Sequence, residues 1–205
     1  MLRASRRLST KGRHLTKYIL IALYTGTRKS AALSLRLDQP GTDGGWIDTD
    51  RGVLYRQPEG KRQTKKRQPA ARMPKNILGH VRRWKANGAR FAIEDWRGNR
   101  VADVQTSFAS CIRLAEEMAK EKGIELDLAG ISPHVLRHTM ATWLMQSGAS
   151  FWDAGGYLGM SPETLERVYG HHHPDHQAGA VSAIESGVSG ARSRNTPKWQ
   201  SKVVS

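Results

Sequence analysis

The stretch from residue 132 to residue 170, SPHVLRHTMATWLMQSGASFWDAGGYLGMSPETLERVYG, decides the fold. It opens on Ser132-Pro133, a serine placed to cap a helix and a proline at the first helical position, where no backbone N–H is needed. The pattern predicts a helix from there to Gln146, ended by Gly148. Ser150 caps a second, short helix to about Leu158, and Ser161-Pro162-Glu163 starts a third that runs through Tyr169. On the first helix, His134 and Arg137 are spaced i, i+3 and share a face. Leu136, Met140, Trp143 and Leu144 are expected on the opposite, buried face. Arginine offers a planar fork to phosphate oxygens, and histidine donates a hydrogen bond or a proton. Taken alone this is also what an ordinary polar surface stripe looks like. Tyr169 precedes Gly170, and its phenol reads as a nucleophile, a stacking platform or a core side chain.

Upstream, Leu15, Tyr18, Ile19, Ala22 and Leu23 recur at helical spacing and predict a helix over His14–Tyr24. The turn Thr25-Gly26-Thr27 interrupts it, and a second helix is expected over Arg28–Arg36, burying Ala31, Ala32 and Leu35. Arg28 would then sit at a helix N-terminus, where the dipole favours an anion; a bound phosphate would resolve that conflict. Trp46-Ile47-Asp48 and Val53-Leu54-Tyr55 flank a Gly-containing turn and read as a β-hairpin. Gln68–Met73 is expected to add a third strand, at the edge because of Pro69. A helix follows from Pro74 to Asn87, and an amphipathic one from Gln105 to Lys120 with Phe108, Ile112, Ala115 and Met118 on one side. Residues 1–13 read as a flexible basic arm, 14–185 as one domain, and 186–205 as a disordered Ser-, Gly- and Arg-rich tail.

Composition narrows the partner. The 205 residues carry 33 Lys and Arg against 18 Asp and Glu, a formal charge of +15. Residues 51–90 alone hold thirteen basic residues and the single acid Glu59. Such density suits a polyanion, because each phosphate contact releases condensed counterions. No apolar run is long enough to span a membrane. The lone Cys111 excludes an internal disulfide framework and a cysteine-based zinc site, and an intracellular location is the simplest reading.

Thr25-Gly26-Thr27-Arg28, the basic hairpin, His134-Val135-Leu136-Arg137-His138-Thr139, and Leu158-Gly159 followed by Tyr169 occur in one order. Over roughly residues 14–185 this resembles the catalytic domain of the tyrosine recombinases, the phage-integrase family. The resemblance implies an α+β domain, mainly helical, with a small three-stranded antiparallel sheet. It implies site-specific strand cleavage and rejoining on double-stranded DNA through a 3′-phosphotyrosine. Tyr169 matches the nucleophile, Arg28 and Arg137 the phosphate clamp, and His134 the first histidine of the His-x-x-Arg box. A hairpin lysine is the family's general acid; Lys66 is chosen over Lys65 by its distance to Pro74. Lys65, Arg67 and His138 are expected on DNA. The resemblance implies no cofactor and no metal, a homotetramer on DNA that exchanges C-terminal segments, and a cytoplasmic, nucleoid-associated location.

Three departures stand out. Met160 occupies a position where the family usually has His or Trp, and a thioether donates no hydrogen bond. Ala31 replaces an acid often found three residues after the first arginine. The family's front domain, a DNA clamp of roughly a hundred residues, has no counterpart, which implies a fragment, a truncated product or an isolated domain. Two rival readings remain open. His134 and His138 at i, i+4 suit zinc, although Val135 stands where a His-Glu-x-x-His motif needs glutamate. A non-catalytic DNA-binding remnant is the other.

Overall fold

Helices carry most of the chain in the computed structural model, which describes residues 1–9, 12–62 and 67–194, with side chains followed to Ser186. In order they are α1 (Leu2–Arg7), α2 (His14–Thr25), α3 (Lys29–Leu33), α4 (Lys75–Ala86), α5 (Gln105–Lys120), α6 (Val135–Gln146), α7 (Phe151–Leu158), α8 (Pro162–Tyr169) and α9 (Ala178–Arg194). Between α3 and α4 lies an antiparallel sheet of order β1-β2-β3, formed by β1 (Trp46–Asp48), β2 (Val53–Tyr55) and β3 (Ala71–Arg72). The expected class, helix-rich α+β with a small antiparallel sheet, is the one that forms.

The β1–β2 hairpin closes because Asp48 Oδ1 accepts from the N–H groups of Asp50 and Arg51, and Gly52 takes φ +67°. Trp46 pairs with Tyr55 across the strands and stacks on it at 5.0 Å. β3 is shorter than the expected Gln68–Met73. Pro69 has no N–H for the ladder, and its carbonyl is used elsewhere.

Other boundaries also differ from the sequence reading. Leu2–Arg7, expected as part of a flexible arm, is helical and packs on α5; Ala4 and Ser5 are buried, and the Ser5 hydroxyl bonds Thr16. The tail expected to be disordered from 186 continues α9 to Arg194, and 195–205 lie outside the described residues. α6 starts two residues late. Ser132 makes no side-chain cap; a tight turn runs instead through Val135 N–H to Ser132 O, and His134 becomes the N-cap residue. Ser150 and Ser161, by contrast, accept from the N–H groups of Asp153 and Thr164 as expected.

Two apolar clusters result. The larger joins α1 to α5 and the sheet and reaches Leu136 of α6. The smaller packs Ala141 and Met145 of α6 against Ala154, Leu158, Leu165 and Tyr169 of α7 and α8. α6 belongs to both, so its first turns lie where the clusters meet. The buried polar side chains Thr25, Thr27, Arg56 and Arg137 bond one another's elements there.

Candidate active site

Two helices end on glycine beside this junction. α2 stops at Gly26 (φ +61°) and α7 at Gly159 (φ +66°), each in the left-handed conformation glycine adopts without penalty. A Cβ at Gly26 would lie 2.3 Å from Leu158 Cδ2, and one at Gly159 2.5 Å from the Arg67 carbonyl. Only hydrogen fits at either position. Each glycine then offers its carbonyl to an arginine. Arg137 Nη1 donates to Gly26 O at 2.6 Å. Arg28 Nη2 donates to Gly159 O at 3.4 Å, while its Nη1 donates to Arg67 O at 2.7 Å. A helix C-terminus carries partial negative charge, so both cations sit where the dipoles favour them. For Arg28 this replaces the expected conflict: its backbone caps α3, but its guanidinium reaches the far end of α7.

Arg137 is the larger correction. The hydrophobic pattern put it on the polar face of α6 opposite Trp143, yet Arg137 is 5% exposed and Trp143 44%. Its Nη2 is buried with no partner among the described residues. Burial, and then the positive charges of Arg28 and Arg56, push its pKa down to about 10. The group therefore remains cationic at neutral pH with half of its fork unused. An unmet buried donor costs about 1–3 kcal/mol, which an anionic oxygen would recover.

His134 and His138 stand on successive turns beside it, their rings edge to face at 4.7 Å. Tyr169 comes in from α8, its ring packed in the smaller cluster and 6% exposed, its hydroxyl 2.5 Å from His138 Nδ1. Burial raises the phenol's pKa and the Arg137 charge opposes that rise. Arg28, His134, Arg137 and Tyr169 thus come together from distant parts of the chain. Lys65 and Lys66 lie outside the described residues. Arg67 has an exposed side chain and contributes its carbonyl to Arg28. Met160 packs against the smaller cluster, with its N–H on Gly155 O. Of the later histidines, His173 lies against Phe151 at 5.5 Å. Among the described residues no group of three or more His, Cys, Asp or Glu is arranged to hold a metal, and no helix is long and apolar enough to cross a membrane.

Sequence reasoning missed Arg56. It is 3% exposed and has no acid beside it; its guanidinium donates to Thr25 O, Thr27 Oγ1, Pro69 O and Tyr157 O at 2.7–3.0 Å. It therefore ties the end of α2 to the sheet and to α7. Burial above all holds its pKa down at about 10, with the Arg28 charge adding to the shift and Tyr157 opposing it. A signal existed: strand alternation continued past Tyr55 puts residue 56 on the inward face of Leu54.

His134 gives a test of the local field. Partial burial lowers its pKa below 6.5, and the positive charges of His138, Arg137 and Arg28 lower it further. An anion held between the two arginines reverses that electrostatic part. An NMR titration of the His134 ring is expected to give a midpoint below 6.5 in the chain alone, moving upward when inorganic sulfate is added. A midpoint that sulfate leaves unmoved would mean that no anion settles there.

A model described as the phage integrase family matches residues 1–176. Tyrosine recombinase XerD of Mycobacterium tuberculosis (strain ATCC 25618 / H37Rv) is 33% identical over 162 residues, covering 74% of this chain and 46% of the relative. Tyrosine recombinase XerC of Erythrobacter litoralis (strain HTCC2594) is 35% identical over 91 residues, 40% of this chain and 29% of the relative. The chain thus spans less than half the length of these curated relatives. Among solved structures, the Tn1549 transposon integrase in complex with circular intermediate DNA has a TM-score of 0.63 at 19% identity, covering 89% of this chain and 63% of that one. XerH site-specific recombinase bound to palindromic difH substrate has a TM-score of 0.55 at 18% identity, covering 90% and 50%. These likenesses are of fold.

Proposed function

The chain belongs to the phage integrase family, and from that premise we propose that it cleaves and rejoins DNA strands at a specific site through a 3′-phosphotyrosine on Tyr169. The observation that carries the reading is Arg137 Nη2, a buried cationic donor with no partner among the described residues, gathered with Arg28, His134 and the Tyr169 phenol. A phosphate placed there would take the unused Arg137 donor, in the positive field of Arg28 and beside His134 and the Tyr169 phenol. Preorganised cations of this kind stabilise the charge that builds on phosphoryl oxygens in the transition state. Lys66 is the proposed acid for the leaving 5′-oxygen, and Lys65 and Arg67 are proposed DNA contacts on the same hairpin.

The proposed substrate is double-stranded DNA; the Tn1549 transposon integrase was solved in complex with circular intermediate DNA, and XerH with its palindromic difH substrate. We assign the working form to a tetramer on DNA, in the cytoplasm and on the nucleoid, with C-terminal segments exchanged between subunits. The exposed Val181 and Ile184 of α9, 51% and 65% accessible, support that exchange, since one domain alone leaves them in water.

Covalent capture tests the reading. Nicked suicide duplexes of randomised sequence are incubated with the chain, and trapped DNA is located by peptide mass spectrometry. The expected adduct lies on Tyr169 and disappears in Tyr169→Phe, which still retards the same duplexes in a gel. Retardation without an adduct from the parent chain would leave a non-catalytic DNA-binding remnant as the reading.

A further inference from the structure

We propose that His138 is the catalytic base that takes the phenolic proton of Tyr169, an assignment that rests on the strand-transfer reading of this site. The sequence reading gave His138 a contact with DNA or, in the rival reading, half of a zinc pair with His134. The structure puts its Nδ1 2.5 Å from the Tyr169 hydroxyl, within the reach that proton transfer requires. His134, one turn earlier, meets His138 edge to face and makes no hydrogen bond to the phenol among the described residues.

The phenol needs a base. Burial in the smaller cluster favours its protonated form, and a protonated phenol is a weak nucleophile. Its charged neighbours cannot serve: Arg137 and Arg28 are cations without a lone pair. Among the described residues, His138 is the acceptor that the Tyr169 hydroxyl reaches. With its own proton on Nε2, the imidazole presents a bare Nδ1 to the phenol, and its exposed position lets the proton pass on to solvent.

In cleavage, the Tyr169 oxygen forms its bond to phosphorus as the bond from phosphorus to the 5′-oxygen breaks. The phenolic proton moves to His138 Nδ1. The departing 5′-oxygen takes a proton from the acid proposed on the hairpin, Lys66. Rejoining reverses each transfer: the 5′-hydroxyl attacks phosphorus, its proton returns to the lysine, and the His138 imidazolium returns a proton to the tyrosine oxygen.

The test uses a nicked suicide duplex enriched from a randomised pool by capture on the parent chain. In single-turnover cleavage, His138→Ala is expected to be slower by about 10²–10⁴-fold, the usual worth of a positioned base. His138→Gln, which can still accept from the phenol but cannot take its proton, is expected to be as slow. Sulfur in place of the bridging 5′-oxygen makes a leaving group that needs no acid, and it should leave the His138→Ala defect in place. Imidazole in the buffer should restore part of the rate. In the DNA-free parent chain, ¹⁵N NMR should show His138 with a bare Nδ1. Full activity in His138→Gln, faster cleavage in His138→Ala, or a proton found on Nδ1 would each overturn the assignment. If the parent chain captures no duplex at all, the strand-transfer reading fails first and takes the assignment with it; capture by the parent with normal rates in both variants sinks the base alone.

Discussion

Arg137→Ala is expected to slow DNA cleavage by about 10³–10⁵-fold, the range an arginine contributes when it stabilises a phosphoryl-transfer transition state. The chain should remain folded. The substitution orphans the Gly26 carbonyl, at a cost of about 1–3 kcal/mol, and it also removes a buried cation that Arg28 and Arg56 repel. Activity should therefore fall far more than stability. Arg137→Lys separates charge from shape. Its ammonium is a compact cation without a fork, so it is unable to bond Gly26 O and present a second, aligned donor to phosphate as the guanidinium does. Only part of the rate should return. Single-turnover cleavage beside a thermal melt decides the matter, and an Arg137→Ala chain that cleaves within about tenfold of the parent would remove Arg137 from the clamp.

The largest stability effect is expected at a residue that touches no substrate. Arg56→Met keeps much of the side-chain length and removes every donor. It leaves Thr25 O, Pro69 O and Tyr157 O without the partner they share. Each orphaned buried acceptor costs about 1–3 kcal/mol. Losses within one network do not add fully, and the methionine is spared the arginine's desolvation, so a net loss of about 3–5 kcal/mol is expected. Urea unfolding at neutral pH measures it; a loss under about 1 kcal/mol would show that the network holds nothing together. Cleavage should fall as well, because Gly26 and Gly159, whose carbonyls hold the Arg137 and Arg28 guanidinium groups, end the helices that Arg56 joins.

Local chemistry explains what could be read from the sequence. α5 runs from Gln105 to Lys120 as expected because Phe108, Ile112 and Ala115 recur at helical spacing and are buried. Ser150 and Ser161 cap as their side chains predict. Ser132 does not, because the chain enters α6 through a tight turn that bonds its carbonyl and leaves its hydroxyl out of the cap. The first turns of α6 were misread for a different reason. Amphipathic reasoning sends an arginine to water, and nothing nearby in sequence says that the carbonyl meeting Arg137 belongs to Gly26, 111 positions earlier. Arg56 was hidden likewise, since its acceptors come from α2, α7 and the approach to β3. Arg28, His134, Arg137 and Tyr169 could be named from the family pattern; the contact between His138 and Tyr169 needed coordinates.

Among the described residues, the hydrogen bonds of Arg28, Arg56 and Arg137 go to uncharged oxygens, and none of the three takes part in an ion pair. Burial lowers the proton affinity of all three; the Arg28 charge lowers that of Arg56 and Arg137 further, and the Arg56 charge that of Arg137. The native chain is thus folded around a mutual repulsion that no acid among the described residues offsets by an ion pair. Any polyanion laid across it supplies the missing countercharge, and whatever binds the native state alone also stabilises it. On the proposed function, DNA that fills this site also steadies the fold, and its release returns the chain to the less stable state.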